Sequence, residues 1–340
     1  MGAEPSSRLK GKIPDGWLPI SHTEVAMTIP QLRLCALCDS DKVKLEQVGK
    51  LYKIANIYTD YKLLIDEVRP DFLCIATRTL GRTDIMKYAC ENGVKIIYLE
   101  KPISRSIGDC RNILNICKKY GVIIGYGVNR RYHSAYRKAK EIMCSGKIGK
   151  LREIIVEHGR SNLLWTHSHS ADVIQFFAES SELEFIQGTC TFSDGYYPVT
   201  ELLIDDDPIV ENAFMKFKNG ITASINQTGG INVRLSCTNG ILTIYADGTY
   251  IEILKGSGYF SQRERIQVES LQSATITAFQ ELIDSLNNEK PKPITPAEIE
   301  TGMLILHGIV YSSLNNGKRI APEVVPEQMT ITGKSGKFYA

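Results

Sequence analysis

Hydrophobic residues in the first third of the chain form short runs that alternate with segments of helical periodicity. Four runs are typical of buried strands, and four segments carry apolar residues at helical spacing. The predicted strands are Leu32–Cys38, Asp71–Thr77, Val94–Leu99 and Val122–Tyr126. The predicted helices are Lys42–Ile54, Tyr61–Val68, Thr83–Asn92 and Ile107–Tyr120. This alternation predicts βαβ units and a doubly wound parallel sheet with helices on both faces.

After Tyr132 the pattern changes to strand-like runs separated by Asn-Gly, Gly-Gly and Asp-Gly pairs, which are typical of hairpin turns. The predicted strands are Leu151–Glu157, Glu184–Phe192, Val210–Phe217, Ile221–Gln227, Ile231–Cys237 and Leu242–Tyr245. Three further helices are predicted at Tyr132–Cys144, Ala274–Asn287 and Pro296–Leu314. The sequence therefore predicts an α/β domain over residues 1–128 and an α+β domain with a large, open, mostly antiparallel sheet over residues 129–340.

Composition excludes several classes of protein. The chain has 340 residues and a net charge of +2, and no stretch approaches the ~20 consecutive apolar residues that span a bilayer. It carries no concentrated basic stripe, so we expect neither a membrane nor a nucleic acid as partner. The nine cysteines are scattered, many in apolar runs, which favours reduced thiols and a cytoplasmic location. Cys35 and Cys38 are expected to be core thiols on opposite faces of the first predicted strand.

Two charged residues follow predicted strands of the parallel sheet. In a dinucleotide-binding sheet, an acidic residue at the position of Asp39 accepts hydrogen bonds from the adenosine ribose and repels a 2′-phosphate, which favours NAD over NADP. Asp39 could instead be a helix N-cap. Lys101, within Glu100-Lys101-Pro102, would point into the ligand crevice and could relay the proton of a substrate hydroxyl. A surface lysine in a loop is the alternative.

These residues belong to an ordered set of motifs. The set comprises Asp39, Thr77, Glu100-Lys101-Pro102, Gly127–Tyr132, Ser145–Gly149 and Ser168–Asp172. On these motifs the chain resembles the glucose–fructose oxidoreductase / inositol dehydrogenase / rhizopine catabolism (Gfo/Idh/MocA) family from about Ser21 to about Ala321. The resemblance implies a Rossmann domain followed by an α/β domain with a large open sheet. It also implies NAD(P)-dependent oxidation or reduction of a hydroxyl or ketone on a sugar, cyclitol or nucleotide-linked sugar.

The resemblance also assigns roles to individual residues. Lys101 would be the catalytic lysine, and His169 would assist proton transfer or bind the reacting hydroxyl. The expected cofactor contacts in this part of the chain are Asp39, Thr77, Glu100, Lys101 and Asn129. The expected substrate contacts are Lys101, Arg130, Trp165, His167 and His169.

Position 165 departs from the family pattern. Many dehydrogenases of the family carry an aspartate four residues before the histidine, where this chain has Trp165. An indole cannot take a proton, but it can stack against a sugar ring. His167 and His169 also suggest a metal site, but no cysteine or carboxylate cluster of ligand spacing accompanies them, so no metal is expected.

The amino terminus departs from the dinucleotide-binding fingerprint. Only Gly2 of the G-x-G-x-x-G pattern is visible, and no apolar strand precedes it. Ser6, Ser7 and Arg8 could still bind the pyrophosphate together with Gly2. Either the first strand lies upstream of the recorded Met1, which is favoured, or the cofactor loop is natively remodelled. A sheet without its central strand would leave costly unpaired backbone groups.

Three functions remain in view. The leading hypothesis is an NAD-dependent oxidoreductase in which Lys101 is the acid or base and His169 assists. An NAD-requiring lyase or glycosidase is an enzymatic alternative, and a non-catalytic NAD(H)- or sugar-binding protein is another. The open sheet of the second domain has an apolar face that needs cover, so a homodimer or homotetramer is expected.

Overall fold

The first domain is built on short parallel strands connected by helices. In the computed structural model, the described residues are 2–14, 16–193, 196, 198, 200, 202–256, 262–269 and 272–333. The strands are β1 (Leu37–Cys38), β2 (Ile57–Tyr58), β3 (Phe72–Ile75), β4 (Ile96–Leu99) and β5 (Ile123–Tyr126). The helices are α1 (His22–Thr28), α2 (Lys42–Tyr52), α3 (Tyr61–Val68), α4 (Arg82–Glu91) and α5 (Ile107–Tyr120). The predicted alternation of strands and helices is confirmed.

The parallel sheet of this domain is divided into two parts. β1 pairs with β2, and β3, β4 and β5 form a separate three-stranded sheet. None of the described strands lies between β1 and β3. The predicted strand over Leu32–Cys38 is therefore wrong before Leu37, because residues 32–36 have no neighbouring strand to pair with.

The same gap changes the environment of two cysteines. Cys38 is exposed and Cys35 is partly exposed, so the prediction that both are core thiols is wrong. β1 belongs to a two-stranded sheet that covers little of its side-chain surface.

Gly2 lies beside the carboxyl end of β3, where a Cβ atom on Gly2 would be 3.2 Å from the Cβ of Ala76.

The second domain contains a nine-stranded mixed sheet. Its first five strands are β6 (Leu151–Glu157), β7 (Ser161–Asn162), β8 (Leu183–Thr191), β10 (Ile209–Phe217) and β11 (Thr222–Asn226), with the short β9 (Leu203–Ile204) outside this sheet. The others are β12 (Asn232–Cys237), β13 (Gly240–Tyr245), β14 (Tyr250–Lys255) and β15 (Gln262–Ile266). The order is β15-β14-β13-β12-β6-β11-β10-β7, with β8 also pairing with β10. Only the β6–β11 pair of this sheet is parallel, so the predicted mostly antiparallel sheet is confirmed.

Four helices accompany this sheet. They are α6 (Ser134–Cys144), α7 (Ser168–Ala178), α8 (Ala274–Leu286) and α9 (Pro296–Leu314). β9 pairs in parallel with β16 (Thr330–Ile331) as a separate two-stranded sheet. α9 packs against β8 and α7, whereas α8 packs against β4 and β5 of the first domain. Gly125 in β5 allows this approach, since a Cβ atom there would be 2.4 Å from Cδ1 of Leu282. A carboxyl-terminal helix thus packs against β4, the strand that ends just before Lys101, and against the neighbouring β5.

The segment before α1 also contacts the second domain. Trp17 is buried, its indole N–H donates to the carbonyl of Asp247 at 3.1 Å, and its ring stacks on His133 at 4.6 Å. Trp17 therefore links the segment before α1 to the second domain. No helix within the described ranges is long and apolar enough to cross a membrane.

Candidate active site

Arg82, the first residue of α4, holds the loop that carries Lys101. Its buried guanidinium donates to the carbonyls of Thr77, Glu100 and Pro102. Burial lowers the pKa of Arg82 to about 10, although the charge of Glu100 opposes this. Three main-chain groups from the ends of β3 and β4 are thereby tied to one side chain. Arg82 was not predicted as a site residue, because a lone arginine at the start of a helix does not indicate that it binds the carbonyls of another loop.

Glu100 is buried against the first helix. Nε2 of His22 donates to the Glu100 carboxylate at 2.9 Å. Burial acts to raise the pKa of Glu100, but the hydrogen bond and charge of His22 and the charge of Lys101 outweigh it and lower the pKa. Gly127, directly after β5, lies so close to Glu100 that a Cβ atom on it would be 2.9 Å from Oε2 of Glu100. The motif therefore places an ionised carboxylate next to Lys101 while its strongest contact is to His22.

Lys101 extends from the end of β4 to Trp165, which stands four residues before His169. Its Nζ donates to the carbonyl of Trp165 at 2.8 Å and lies 3.6 Å from the centre of the Trp165 indole. Burial lowers the pKa of Lys101 to about 8; Glu100 and Asp207 oppose this, while Arg130 and Arg82 favour it. A lysine that titrates near neutral pH can both take up and release a proton under working conditions.

His169 lies in the first turn of α7 and belongs to the same cluster. Burial lowers its pKa well below the ordinary value, and the charges of Arg130 and Lys101 act in the same direction. Its Nδ1 is buried, with no hydrogen-bond partner among the described residues. The charge of Lys101 thus acts on His169, and burial keeps the imidazole neutral.

A serine links two further histidines next to His169. The Ser170 hydroxyl lies 2.9 Å from Nδ1 of His158 and 3.0 Å from Nδ1 of His167. A hydroxyl can donate to one ring and accept from the other. Burial lowers the pKa of His167 to about 4 and that of His158 well below the ordinary value. His158 was missed because a single histidine after a strand is an unspecific signal, and the substrate role of His167 stays a prediction.

The two consecutive arginines after β5, Arg130 and Arg131, bind different partners within the protein. Arg130 forms a bidentate pair with Asp247 at 2.8 and 2.9 Å, and the Tyr136 hydroxyl donates to the same carboxylate at 2.9 Å. Arg131 binds Asp172 at 2.6 Å, both of them buried. Asp172 therefore pairs with Arg131, and no contact to His169 was found for it.

Asn129 connects the two domains. Its side-chain oxygen accepts from the Tyr98 hydroxyl at 2.6 Å, and its amide donates to the Thr275 hydroxyl at 3.1 Å. Both groups of this amide are thus used between β4 and α8. The expected contact of Asn129 with a cofactor stays a prediction.

Asp207 supplies a carboxylate that the sequence did not single out. It follows β9, and its Oδ1 accepts from the Leu164 N–H at 2.7 Å. Burial raises its pKa to about 6, against the hydrogen bonds of the 164 and 165 N–H groups and the charge of Lys101. Nothing in the sequence indicates that Asp207 is part of the site, because a run of three aspartates (Asp205, Asp206 and Asp207) usually indicates a solvated loop.

Known proteins resemble this chain in sequence, mainly over its first domain. Residues 16–128 match the family described as "Oxidoreductase family, NAD-binding Rossmann fold", Gfo/Idh/MocA. This match lies within the first domain and supports the resemblance of the chain to the Gfo/Idh/MocA family. Scyllo-inositol 2-dehydrogenase (NAD(+)) of Bacillus subtilis is 32% identical over 136 residues, 40% of each chain. Myo-inositol 2-dehydrogenase of Thermotoga maritima is 28% identical over 140 residues. The matched segment spans about two-fifths of the length of these relatives.

Solved structures share the fold of this chain over most of its length. An aldose–aldose oxidoreductase of Caulobacter crescentus, complexed with glycerol, aligns with a TM-score of 0.75 at 15% identity. That alignment covers 88% of this chain and 94% of the other. The shared fold therefore includes the second domain with its large sheet as well as the Rossmann domain.

The carboxyl edge of the parallel strands fits the two ends of a nicotinamide dinucleotide. Asp39 follows β1, is exposed, and accepts the Asp41 N–H at 2.8 Å through one oxygen, while Asp41 itself caps α2. Thr77 and Lys101 follow β3 and β4 at the same edge, where parallel sheets bind dinucleotides. This donor set suits the ribose at one end and the reacting ring at the other.

The residues expected at the phosphates are placed differently from one another. The Ser6 hydroxyl accepts the N–H groups of Ile20 and Ser21, each at 3.0 Å. The Gly2 carbonyl accepts the Thr23 N–H at 3.1 Å. Ser7 is exposed and Arg8 pairs with Glu4 at the surface. Gly2 and Ser6 thus hold the start of α1, and the phosphate role expected for Gly2, Ser6, Ser7 and Arg8 stays a prediction.

Proposed function

We propose that this protein is a dehydrogenase or reductase that acts on a hydroxyl or ketone carbon of a sugar, cyclitol or nucleotide-linked sugar, with NAD as cofactor. The observation that supports the proposal is that Lys101, at the carboxyl end of β4, reaches the Trp165 carbonyl in the turn before His169 and has a pKa of about 8. The family resemblance and the inositol dehydrogenases among the relatives support the reaction class.

The residues of the site divide the proton chemistry between them. A bound nicotinamide ring would accept or supply the hydride. In oxidation, neutral Lys101 takes the proton of the substrate hydroxyl, and in reduction its ammonium returns that proton. Neutral His169 contributes a hydrogen bond to the same oxygen, because its lowered pKa keeps it from competing for the positive charge. The Arg82 clamp fixes the loop from which Lys101 acts.

Two features support a polyhydroxylated substrate and NAD. The indole of Trp165 is 40% exposed, and an indole face stacks well on the C–H face of a sugar or cyclitol ring. Asp39 places an acidic group where a 2′-phosphate would be repelled, which favours NAD over NADP. We infer that Trp165 contributes binding and orientation, and that the acid–base work falls to its neighbours.

The test combines cofactor binding with a substrate screen. NADH and NADPH are titrated by nicotinamide fluorescence, and inositols, aldoses and a nucleotide-linked sugar are then assayed for absorbance at the NADH band. We expect NADH to bind more tightly than NADPH and at least one polyol to be oxidised. Lys101→Ala should bind NADH yet lose turnover. Full turnover by this variant contradicts the proposal, and binding without turnover by the unaltered protein favours a non-catalytic NAD(H)-binding role.

We further propose that the protein forms a homodimer or homotetramer through the outer face of its nine-stranded sheet. Phe185 and Phe214 lie on that face with ring centres 5.7 Å apart. Light scattering of the unaltered protein and of Phe214→Glu tests this. A dimer or larger species that becomes monomeric in the variant supports the proposal, and a monomer in both contradicts it.

A further inference from the structure

Trp165 stands where many dehydrogenases of the family carry an aspartate, and Asp172 in α7 is paired with Arg131, so neither position supplies a carboxylate to Lys101. Two carboxylates elsewhere act on Lys101, those of Glu100 and Asp207. Glu100 is bound to His22 at 2.9 Å on the side of α1. Asp207 comes from the segment between β9 and β10, which is distant from both catalytic candidates in sequence.

The main chain around Asp207 is held against the turn that carries Trp165. The Asn162 side-chain amide donates to the Asp207 carbonyl at 2.7 Å, and the Leu163 N–H donates to the Pro208 carbonyl at 2.9 Å. β7 and β10 pair next to these contacts, with Asn162 opposite Ile209. The position of Asp207 is therefore set by the sheet.

The three consecutive aspartates have three different environments. Asp205 accepts from the Thr332 hydroxyl at 2.5 Å, and Asp206 accepts from the N–H and hydroxyl of Ser193, both at 2.7 Å. Asp207 alone of the three accepts the Leu164 N–H, at 2.7 Å. Asp206 is also buried, which makes it a matched control for Asp207.

Asp207 and Lys101 are joined through one short stretch of main chain. The Asp207 carboxylate accepts the N–H of Leu164. The next residue is Trp165, whose carbonyl accepts a hydrogen bond from the Lys101 ammonium. The centre of the Trp165 ring lies 3.6 Å from the Lys101 Nζ. Resting on the proposed function, we propose that Asp207 is the positioning residue for Lys101. Its carboxylate fixes the main chain that receives the ammonium, and its charge favours the protonated lysine.

The electrostatics of the cluster agree with this arrangement. Negative charges on Glu100 and Asp207 raise the pKa of Lys101, while burial and the charges of Arg130 and Arg82 lower it to about 8. The neutral His169 and the Trp165 ring complete its surroundings. Since the pKa of Asp207 is about 6, both groups are ionised between about pH 6 and pH 8. An opposite charge at short range typically moves a lysine or carboxylate pKa by about 1 pH unit or more.

The experiment measures the ionisation of Lys101 directly. The full chain is labelled with trace acetic anhydride at a series of pH values, and modification of the Lys101 peptide is quantified by mass spectrometry. Wild type, Asp207→Asn and Asp206→Asn are compared. The amide of Asp207→Asn still accepts the Leu164 N–H, so the fold should persist. We expect the Lys101 midpoint to fall by about 1 pH unit in Asp207→Asn and to stay unchanged in Asp206→Asn.

A charge-retaining variant separates positioning from a structural role. Asp207→Glu should keep the Lys101 midpoint near that of wild type, and where activity is measurable the pH profile of kcat should follow the midpoint in each variant. Equal midpoints in wild type and Asp207→Asn, or an equal fall in Asp206→Asn, overturn the proposal. If Asp207→Asn does not fold, a midpoint in Asp207→Glu lower by about 1 pH unit overturns it as well. Labelling does not require turnover, so an inactive wild type contradicts the proposed function and leaves this result to decide on Asp207.

Discussion

The Lys101 ammonium is bound to both the carbonyl and the indole of Trp165, at 2.8 Å from the oxygen and 3.6 Å from the ring centre. The carbonyl contact uses the main chain and is available to any residue at position 165. The indole contact depends on the side chain, and a cation held over an indole is stabilised by about 0.5–2 kcal/mol. The Trp165 ring is therefore expected to favour the protonated form of the lysine.

Replacing the indole should alter that ionisation. In Trp165→Ala the Lys101 pKa is expected to fall by about 0.4–1.5 pH units, because one pH unit corresponds to about 1.36 kcal/mol. Trp165→Phe keeps an aromatic face and should show a smaller fall. Competitive labelling of Lys101 measures both, and an unchanged midpoint in Trp165→Ala would show that the ring contributes nothing.

Lys101 itself is expected to dominate the chemical step. Lys101→Ala should lower kcat by about 10²–10⁴-fold, the usual contribution of a general acid or base, while NADH binding persists. Lys95→Ala, which removes a lysine paired at the surface with Asp71, is the control and should retain full activity. Normal kcat in Lys101→Ala would assign the proton transfer to another group.

The pH dependence of the two directions should differ in sign. Oxidation needs the neutral lysine, so its rate should rise with pH and level off above the Lys101 pKa of about 8. Reduction needs the ammonium and should fall through the same range. Steady-state profiles in both directions check this, and parallel profiles would contradict the role of Lys101.

Arg82 is expected to govern stability as well as activity. Arg82→Met leaves three loop carbonyls without their shared donor and should lower the free energy of unfolding by about 3 kcal/mol. Arg33→Met, at an exposed position, serves as the control. Urea unfolding gives both values. Equal stability of the two variants would mean that water replaces the guanidinium without cost.

Asp39 is expected to set the cofactor preference. Asp39→Ser should weaken NADH binding by about 10-fold, the equivalent of one charge-assisted hydrogen bond, and should reduce the preference over NADPH. Glu46→Gln on the exposed face of α2 controls for the loss of a charge. Fluorescence titration with both nucleotides measures the ratio, and an unchanged ratio would leave Asp39 as a loop residue only.

Local patterns were sufficient for most of the helices and most of the central strands, although α7 and β14 were not predicted. Tyr61–Val68, Ile107–Tyr120 and Pro296–Leu314 have the predicted bounds, because periodicity, caps and glycine or proline stops act within a few residues. β15 was missed, since an edge strand of alternating charged residues carries no apolar signal. The strand before Leu37 was overextended because pairing depends on a neighbour that the local pattern does not reveal.

The sequence by itself determined the order of strands and helices, because that order is a property of short segments. It also singled out Lys101 after β4 and His169 in the first turn of α7, because both belong to a family motif. Only the tertiary structure decided what surrounds Lys101. Arg82, His158 and Asp207 reach the site from separate elements, and each acts through a contact with residues far away in the chain. Burial and charge at a point in space are sums over all such neighbours, so the pKa of the lysine became defined only when the fold had brought them together.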